Sequence, residues 1–432
     1  MNTDAGNATG AIATGLDAIE EEAATVDALT AVDPVAEAEE AIEAARAGKI
    51  RKVVIAPDSF KGSLSALEVA TAIAEGLRRV WPVVECALVP MADGGEGTLD
   101  AVLSAGGTRE MERVRGAADG HVEAALGVVE RDLHGRPQRV GIVEAAQVVG
   151  ITEPVGMATA VGNRSTIGVG ELIRRGLDRD LRDFFIGLGG SSTNDGGAGL
   201  LVGLGARLLD AEGATVDPTP EALGRLDRID LTDFDPRIAT CRMTIMSDVN
   251  NPLAGARGAT AIFGPQKGVT PELSQRYDRA IAHFAQVAER AFGRTAADRP
   301  GAGAAGGLGF ALQLLGAEFH SGAEIVADLL ELDRALEGAD WLITGEGRSD
   351  VQTLLGKTPH VVARRAAARR VPATLLSGGI DRAALPELSK TFAGCFSLVF
   401  GPTTLEEAIA DSNGLLSDSA EQLARLIEGT CV

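Results

Sequence analysis

Aromatic residues, cysteines and basic residues are all scarce in this 432-residue chain. Phe, Trp and Tyr make up only 3% of it, and the cysteines are far apart in the sequence, at Cys86, Cys241, Cys395 and Cys431. This spacing excludes a Cys-X-X-Cys metal site and a disulfide framework, and it is typical of a reducing compartment. With 40 basic against 61 acidic residues the net charge is −21, which disfavours nucleic acid as a partner.

Long apolar segments and targeting signals are lacking as well. The longest uncharged run, residues 301–317, contains six glycines and is shorter than the roughly 20 apolar residues that a membrane helix needs. The first basic residue is Arg46, so the N-terminus does not have the charged and then apolar order of a signal peptide. We therefore expect a cytoplasmic protein with no membrane partner.

What remains is the composition of an α/β enzyme. Hydrophobic residues account for 45% of the chain, and it contains 54 glycines. Strand-like apolar runs alternate with helical patterns, which is typical of α/β folds. Because single domains usually stop growing at about 250–300 residues, we expect two domains.

The first 49 residues form an acidic, alanine-rich leader. Eleven Asp and Glu residues lie among residues 1–50, against only Arg46 and Lys49 as basic residues. The leader has too little bulky apolar surface to build a core, although residues 35–47 could form a fraying helix. We expect it to be disordered, and the alternative is a docking or regulatory arm.

The body of the chain begins with a strand, a loop and a helix. An apolar run follows Lys52, and the pattern after Ser65 has the spacing of an amphipathic helix. Ser65 and Glu68 match the capping-box pattern, so the helix is predicted to begin directly after Ser65. The intervening loop places Asp58, Ser59 and Lys61 at the carboxyl edge of a strand, where open α/β sheets bind ligands.

Other apolar runs also end in polar or glycine-rich loops. The run at 84–90 is followed by Asp93 and Glu96, and later runs end near Asp248, Glu346 and residues 377–379. Residues 121–145 instead show short alternating runs, which predict an antiparallel segment and the start of a second domain.

The densest glycine cluster lies at residues 184–200, FFIGLGGSSTNDGGAGL. A strand, a glycine loop and a helix N-terminus together predict an anion site, because glycines allow close backbone approach and the first helical N–H groups are free donors. Asn194 and Asp195 lie in this loop, which we interpret as phosphate-related.

Two short motifs do not support known nucleotide folds. Residues 301–306 match G-x-G-x-x-G but follow no strand, so a dinucleotide-binding fold is not indicated. Gly356, Lys357 and Thr358 resemble the end of a P-loop, yet Val351 stands where that loop needs glycine.

The loops together offer the groups that phosphoryl transfer requires. Positive charge can come from Lys61, Arg348 and Lys357, and carboxylates for a metal from Asp93, Glu96, Asp248, Glu346 and Asp350. Such chemistry needs cations for the phosphate charge, carboxylates for Mg²⁺, and a group that orients the attacking hydroxyl.

The longest of these motifs resemble the bacterial glycerate kinases of the glyoxylate and glucarate pathways. The resemblance runs in order along the chain after Ile50 and rests on eight segments: APDSFKGSLSA (56–66), PMADGGEGT (90–98), GVGELI (168–173), GLGGSSTNDGGAG (187–199), SDVNNPLAGARGA (247–259), FGPQKGVTPE (263–272), GAGAAGGLG (301–309) and TGEGRSDVQTLLGKTP (344–359).

This resemblance implies ATP-dependent phosphorylation of D-glycerate, usually on the 2-hydroxyl, with Mg²⁺. It also implies a two-domain α/β fold in which a parallel-sheet domain is interrupted by an inserted, smaller mixed-sheet domain. We expect the discontinuous domain at 50–110 and 260–432, the inserted domain at 111–259, and the active site in the cleft between them. The alternatives of monomer and homodimer stay open.

Within these motifs we infer three groups of site residues. The expected catalytic residues are Asp195, which would accept or orient the glycerate hydroxyl, and Lys61 and Arg348. The expected substrate- and phosphate-binding residues are Asp58, Ser59, Gly189, Gly190, Ser191, Asn194, Gly196 and Lys357. The expected metal ligands are Asp93, Glu96, Asp248 and Glu346.

Two other functions share some of these features. A nucleotide-dependent hydroxy-acid dehydrogenase would also bind a small hydroxy acid, but the sequence lacks a Rossmann fingerprint. A non-catalytic phosphate or organic-acid sensor could keep the same fold, although it would not need a complete set of charged residues.

Overall fold

The computed structural model describes residues 50–132 and 137–429, so the acidic leader, its predicted helix at 35–47 and Cys431 lie outside the described residues. The strands are β1 Lys52–Ile55, β2 Glu85–Leu88, β3 Thr108–Arg115, β4 His121–Asp132, β5 Pro137–Glu144, β6 Asp183–Gly187, β7 Arg207–Leu209, β8 Arg228–Asp230, β9 Arg242–Met246, β10 Glu318–His320, β11 Trp341–Thr344, β12 Arg348–Ser349, β13 Ala373–Ser377, β14 Gly379–Ile380 and β15 Gly394–Ser397.

Helices flank and connect these strands. They are α1 Ala66–Arg78, α2 Thr98–Ser104, α3 Ala146–Val149, α4 Pro154–Ala158, α5 Ile167–Leu177, α6 Ala198–Gly203, α7 Ala259–Phe263, α8 Pro271–Phe292, α9 Leu308–Leu314, α10 Gly322–Leu329, α11 Leu332–Ala335, α12 Thr358–Ala368, α13 Leu385–Leu388, α14 Leu405–Ala410 and α15 Ser412–Gly429.

One sheet is entirely parallel and has the strand order β15-β13-β11-β1-β2. Its central strands are buried on both faces, as expected for a parallel sheet covered by helices. The carboxyl ends of β1, β11 and β13 meet at one edge, and the loops that follow them lie together there.

The second sheet is mixed and has the order β10-β9-β6-β5-β4-β3. Its β3, β4 and β5 are antiparallel, which confirms the antiparallel segment predicted at 121–145, and β5, β6, β9 and β10 are parallel. Side chains of both sheets meet in one hydrophobic core, in which Val54 and Leu342 join Val140 and Ile142. The two sheets therefore bury part of their apolar surface against each other.

Helix α1 begins as its sequence predicts. The Ser65 side chain accepts a hydrogen bond from the Glu68 N–H, and the Glu68 carboxylate accepts one from the Ser65 N–H. Its buried face packs closely against α15, because a methyl group at Gly76 would lie 2.0 Å from the Ser417 carbonyl oxygen. The Ser63 hydroxyl in the loop after β1 also donates a hydrogen bond to the hydroxyl of Ser412, the first residue of α15, at 2.6 Å.

The expected fold class is confirmed: the chain is α/β, with one parallel and one mixed sheet. The division at residues 110 and 259 stays a prediction, and strand β10 of the mixed sheet lies beyond 259 in the sequence. Among the described residues, no helix is long and apolar enough to cross a membrane.

Candidate active site

The loops after β1, β11 and β13 enclose a pocket of about 740 Å³ at the carboxyl edge of the parallel sheet. We call it the large pocket. Its charged lining residues are Asp58, Lys61, Asp93, Glu346, Arg348, Lys357 and Asp381. Apolar side chains of the segment at 398–415 form its other wall, so one pocket combines a charged half with an apolar half.

Asp58 is held in place from two sides of the pocket. Its carboxylate accepts hydrogen bonds from the Ser59 N–H at 2.7 Å and from the Thr358 hydroxyl at 3.0 Å. Burial and, to a lesser degree, the charge of the neighbouring Asp93 carboxylate raise the pKa of Asp58 to about 7, against the lowering effects of these hydrogen bonds and of Lys61. Two carboxylates close together and away from bulk water favour a bound cation or a proton between them.

Glu346 is already well supplied with partners. Its Oε1 accepts hydrogen bonds from the Thr353 hydroxyl at 2.6 Å and the Ser349 hydroxyl at 3.1 Å. Its Oε2 lies 3.7 Å from the Lys357 Nζ, although burial still raises the pKa of the carboxyl group. Glu346 therefore fixes Lys357 and β12 at the pocket wall, and its predicted role as a metal ligand is untested.

Lys61 and Arg348 line the same pocket but have no carboxylate within 4 Å among the described residues. Strand β12 holds Arg348 by pairing with β14, so that Arg348 lies opposite Gly379. Cations that line a pocket without a direct ion-pair partner favour an anionic ligand there.

The loop at 93–97 connects the large pocket to the mixed sheet. Asp93 lines the pocket, and its Oδ1 accepts a hydrogen bond from the Gly95 N–H at 3.0 Å. Burial raises the pKa of Asp248 at the end of β9, and the charge of Asp93 adds to this effect. The charge of Asp93 therefore acts on both Asp58 and Asp248. Glu96 does not line the large pocket.

Within the described part of the chain, no group of three or more His, Cys, Asp or Glu side chains is arranged to hold a metal ion. The predicted set of Asp93, Glu96, Asp248 and Glu346 is therefore not gathered around one point. Mg²⁺ in kinase sites is commonly held by one or two carboxylates together with substrate phosphates.

The glycine loop after β6 lies beside the loop at 93–97. A methyl group at Gly189 would lie 2.4 Å from the Gly95 Cα, so only glycine allows this contact. Gly189, Gly190 and Ser191 line a second cavity of about 220 Å³, together with Ser247, Gln266 and Lys267. We call it the small cavity.

The second half of the glycine loop is not open to a ligand. Asp195 is fully buried, and its carboxylate accepts hydrogen bonds from the N–H groups of Thr166, Gly197 and Gly199 and from the Thr166 hydroxyl, at 2.8–3.1 Å. The predicted anion site at the start of α6 therefore exists, but the protein's own carboxylate fills it. Asp195 lines neither the large pocket nor the small cavity, and its predicted role as the catalytic base lacks support from the geometry.

Asn194 and Gly196 are likewise buried and line neither cavity. The Asn194 amide donates a hydrogen bond to the Thr260 hydroxyl at 3.0 Å. A methyl group at Gly196 would lie 2.9 Å from the Phe284 ring. Gly196 thus allows close packing against α8. The sequence alone cannot distinguish a glycine that serves packing from a glycine that binds phosphate.

Some groups at or beside the two cavities have no site role in the sequence-based prediction. Thr358 reaches Asp58 across 300 positions of sequence, and residues 378–381 line the large pocket after β13. The polar residues that end β13 are the sequence signal that indicates a ligand-binding loop there. Lys267 is buried and lines the small cavity, and the sequence indicates it only as part of the motif at 263–272.

A buried carboxylate at the end of β5 stabilises the start of α2. Glu144 accepts hydrogen bonds from the Gly97 N–H at 3.2 Å and the Leu99 N–H at 3.0 Å. Burial raises the pKa of Glu144 from 4.5 to about 7. Between these values the folded state binds a proton that the unfolded state has lost, so the free energy of unfolding falls as the pH rises.

We expect the unsubstituted protein to lose on the order of 2–3 kcal/mol more stability than Glu144→Gln between about pH 5 and about pH 8. Urea denaturation at both pH values measures this difference. Glu123→Gln, at an exposed position of β4, is the matched control and should follow the unsubstituted protein. Equal pH dependence in the unsubstituted protein and Glu144→Gln would contradict the expectation.

The fold and the site define an α/β enzyme with a pocket lined by both cations and carboxylates at the carboxyl edge of a parallel sheet. The sequence from residue 53 to residue 428 matches the model of the glycerate kinase family. The chain is 40% identical over 381 residues to glycerate kinase of Bacillus subtilis (strain 168), covering 87% of this chain and 98% of that protein.

Two further comparisons point to the same family. Glycerate 2-kinase of Escherichia coli (strain K12) is 39% identical over 361 residues, which cover 83% of this chain and 93% of that protein. A crystal structure named provisionally as glycerate kinase 2 from Salmonella typhimurium LT2 superposes with a TM-score of 0.73 at 39% identity, over 88% of this chain and 98% of that one. The chain belongs to the glycerate kinase family.

Proposed function

We propose that this enzyme transfers the γ-phosphoryl group of ATP to the 2-hydroxyl of D-glycerate, forming 2-phosphoglycerate with the assistance of Mg²⁺. The observation that carries the proposal is the large pocket, which combines three cations with carboxylates at one sheet edge in a member of this family. In the reaction the bond from the γ-phosphorus to the bridging oxygen breaks, and a bond to the hydroxyl oxygen forms. The hydroxyl proton passes to a carboxylate.

The cations Lys61, Arg348 and Lys357 would bind the phosphates. Lys61 follows β1, Arg348 lies on β12 and Lys357 directly precedes α12, so a triphosphate lying between them would meet positive charge from three elements. Preorganised cations at the position of the transferred group stabilise the charge that develops there. The apolar wall at 398–415 would accommodate the remainder of the nucleotide.

The carboxylates fit a magnesium ion that is completed by phosphate oxygens. Asp93 and Asp248 would hold it, because they interact with each other and lie between the large pocket and the small cavity. When bound, Mg²⁺ supplies positive charge that neutralises the phosphates. Glu346 is less suited, since two hydroxyls and Lys357 already contact its oxygens.

Asp58 would orient the hydroxyl and accept its proton. Its carboxylate is fixed by Ser59 and Thr358 on the wall of the large pocket, beside Lys61. Asp195 was the choice from sequence, and its four internal hydrogen bonds favour a structural role instead. The roles of Ser59 and Glu96 stay predictions.

The experiment is a phosphorylation assay on the full chain with D-glycerate and ATP, with and without Mg²⁺, in which ³¹P NMR reads the position of the new phosphate. We expect 2-phosphoglycerate, and loss of turnover when EDTA removes the metal. Formation of 3-phosphoglycerate would overturn the assigned hydroxyl. Absence of phosphorylation, with D-glycerate still bound, would favour the sensor alternative.

A further inference from the structure

The small cavity has the size and charge of a site for a short-chain organic acid. Its volume of about 220 Å³ is that of roughly seven water molecules at ~30 Å³ each. A three-carbon hydroxy acid has a similar number of non-hydrogen atoms, whereas a nucleotide is far too large. The cavity is lined by polar groups of Gly190, Ser191, Ser247 and Gln266 and by several apolar side chains.

Ser191 is arranged to donate a hydrogen bond to a bound ligand. Its Oγ accepts a hydrogen bond from the Lys267 Nζ at 3.1 Å, so the hydroxyl hydrogen stays available. The N–H groups of Gly190 and Ser191 donate to no other residue in the described ranges. Ser192 differs, because its hydroxyl donates to the Val149 carbonyl at 2.9 Å and it does not line the cavity.

Two buried basic side chains, Lys267 and Arg164, lie near Ser191. The Lys267 ammonium is buried and also donates to the Thr193 carbonyl at 2.7 Å, while the Arg164 guanidinium donates to the Lys267 carbonyl at 3.0 Å. Burial lowers the pKa of Lys267 to about 7 although Asp195 raises it, so a ligand carboxylate beside Ser191 would favour the protonated form of Lys267.

The small cavity also lies next to the site proposed for phosphoryl transfer. Gly189 on its wall contacts Gly95, two residues from Asp93 of the large pocket. Ser247 and Val249 on its wall flank Asp248, which interacts with Asp93. An acid held there would have its hydroxyl near the loop that separates the two cavities.

We propose that the small cavity binds the carboxylate of the hydroxy-acid substrate, with the Ser191 hydroxyl and the N–H groups of Gly190 and Ser191 as donors and with Lys267 as a positioning residue. This inference rests on the proposed function, because it concerns the acceptor substrate of the same reaction. It separates the acid subsite from the nucleotide subsite in the large pocket.

The test compares Ser191→Ala with Ser192→Ala in the full chain. Calorimetry measures D-glycerate binding without nucleotide, and steady-state kinetics give the KM values for both substrates. Ser191→Ala should weaken D-glycerate binding and raise its KM about tenfold or more, since a hydrogen bond to a charged group is lost, without changing the KM for ATP. Ser192→Ala should leave D-glycerate binding unchanged.

A second comparison isolates recognition of the charge. D-glyceramide has the same carbon skeleton with a neutral amide in place of the carboxylate. Ser191→Ala and Lys267→Met should therefore reduce the ratio of the affinity for D-glycerate to the affinity for D-glyceramide. A merely structural effect would weaken the binding of D-glycerate and of D-glyceramide by the same factor. Circular dichroism establishes that each variant is folded. If Lys267→Met does not fold, Ser191→Ala alone still tests the acid subsite.

The outcomes separate this inference from the proposed function. Phosphorylation of D-glycerate with an unchanged KM in folded Ser191→Ala would overturn the acid subsite and leave the kinase. Binding of D-glycerate that depends on Ser191, without phosphorylation, would keep the subsite and overturn the kinase. Failure of the unsubstituted chain to bind D-glycerate would overturn both.

Discussion

Replacing Arg348 by methionine should lower kcat/KM for phosphorylation about 10²–10³-fold, because a preorganised cation facing the transferred phosphate is lost. Arg348 lines the large pocket, and no carboxylate pairs with its guanidinium among the residues described. The substitution therefore leaves no acidic group without a partner, and the folded state should keep its stability. Coupled steady-state assays at varied ATP concentration measure the effect, which should include a higher KM for ATP.

Arg113→Met is the matched control. Arg113 is an exposed arginine on β3 of the mixed sheet and does not line the large pocket. Its loss changes the net charge by the same amount and should leave kcat/KM within a factor of two or so, as is usual for surface substitutions. Activity of Arg348→Met close to that of Arg113→Met would assign the phosphate contacts to Lys61 and Lys357.

Replacing Asp195 by alanine should lower the free energy of unfolding by about 3–5 kcal/mol. The carboxylate is fully buried and accepts four hydrogen bonds, three of them from backbone N–H groups at the start of α5 and around the start of α6. Its removal leaves these donors unsatisfied. It also removes the negative charge that acts on the buried ammonium of Lys267. Urea denaturation measures the loss.

Two further variants give a control for the loss of stability and a test of the catalytic role. Asp298→Ala removes an exposed aspartate of the 294–301 loop and should change stability by no more than about 0.5 kcal/mol. Asp195→Asn keeps the size of the side chain and tests the catalytic role predicted from sequence. If folded Asp195→Asn were as stable as the unsubstituted chain and yet inactive, Asp195 would be catalytic and the structural role would be wrong.

The loops of the large pocket could be predicted because their signals are local. The capping box at Ser65 and Glu68 marks the start of α1, and the apolar runs of β1 and β11 end directly before Asp58 and Glu346. Since parallel strands end at a common edge, residues that follow them converge without further information. Lys61, Arg348 and Lys357 were assigned to the site on this ground, and they do line one pocket.

The glycine loop was harder to interpret because glycine has two uses with the same sequence signature. A glycine admits a phosphate or a neighbouring backbone equally well. Here a methyl group at Gly306 would lie 2.0 Å from the Thr193 carbonyl oxygen, and one at Gly307 would lie 2.4 Å from the Gly196 Cα. Most glycines of the loop therefore serve packing, and those at 189 and 190 border a cavity.

By itself the sequence determined the local features of this protein: its α/β alternation, the start of α1, and the charged loops that follow buried strands. These depend on residues a few positions apart, whose backbone and side-chain preferences act within one element. Only the tertiary structure decided which polar groups meet water and which meet one another. Thr358 reaches Asp58 across 300 positions, and the buried Lys267 lies beneath Ser191 across 76 positions, because packing of distant segments sets burial and charge pairing.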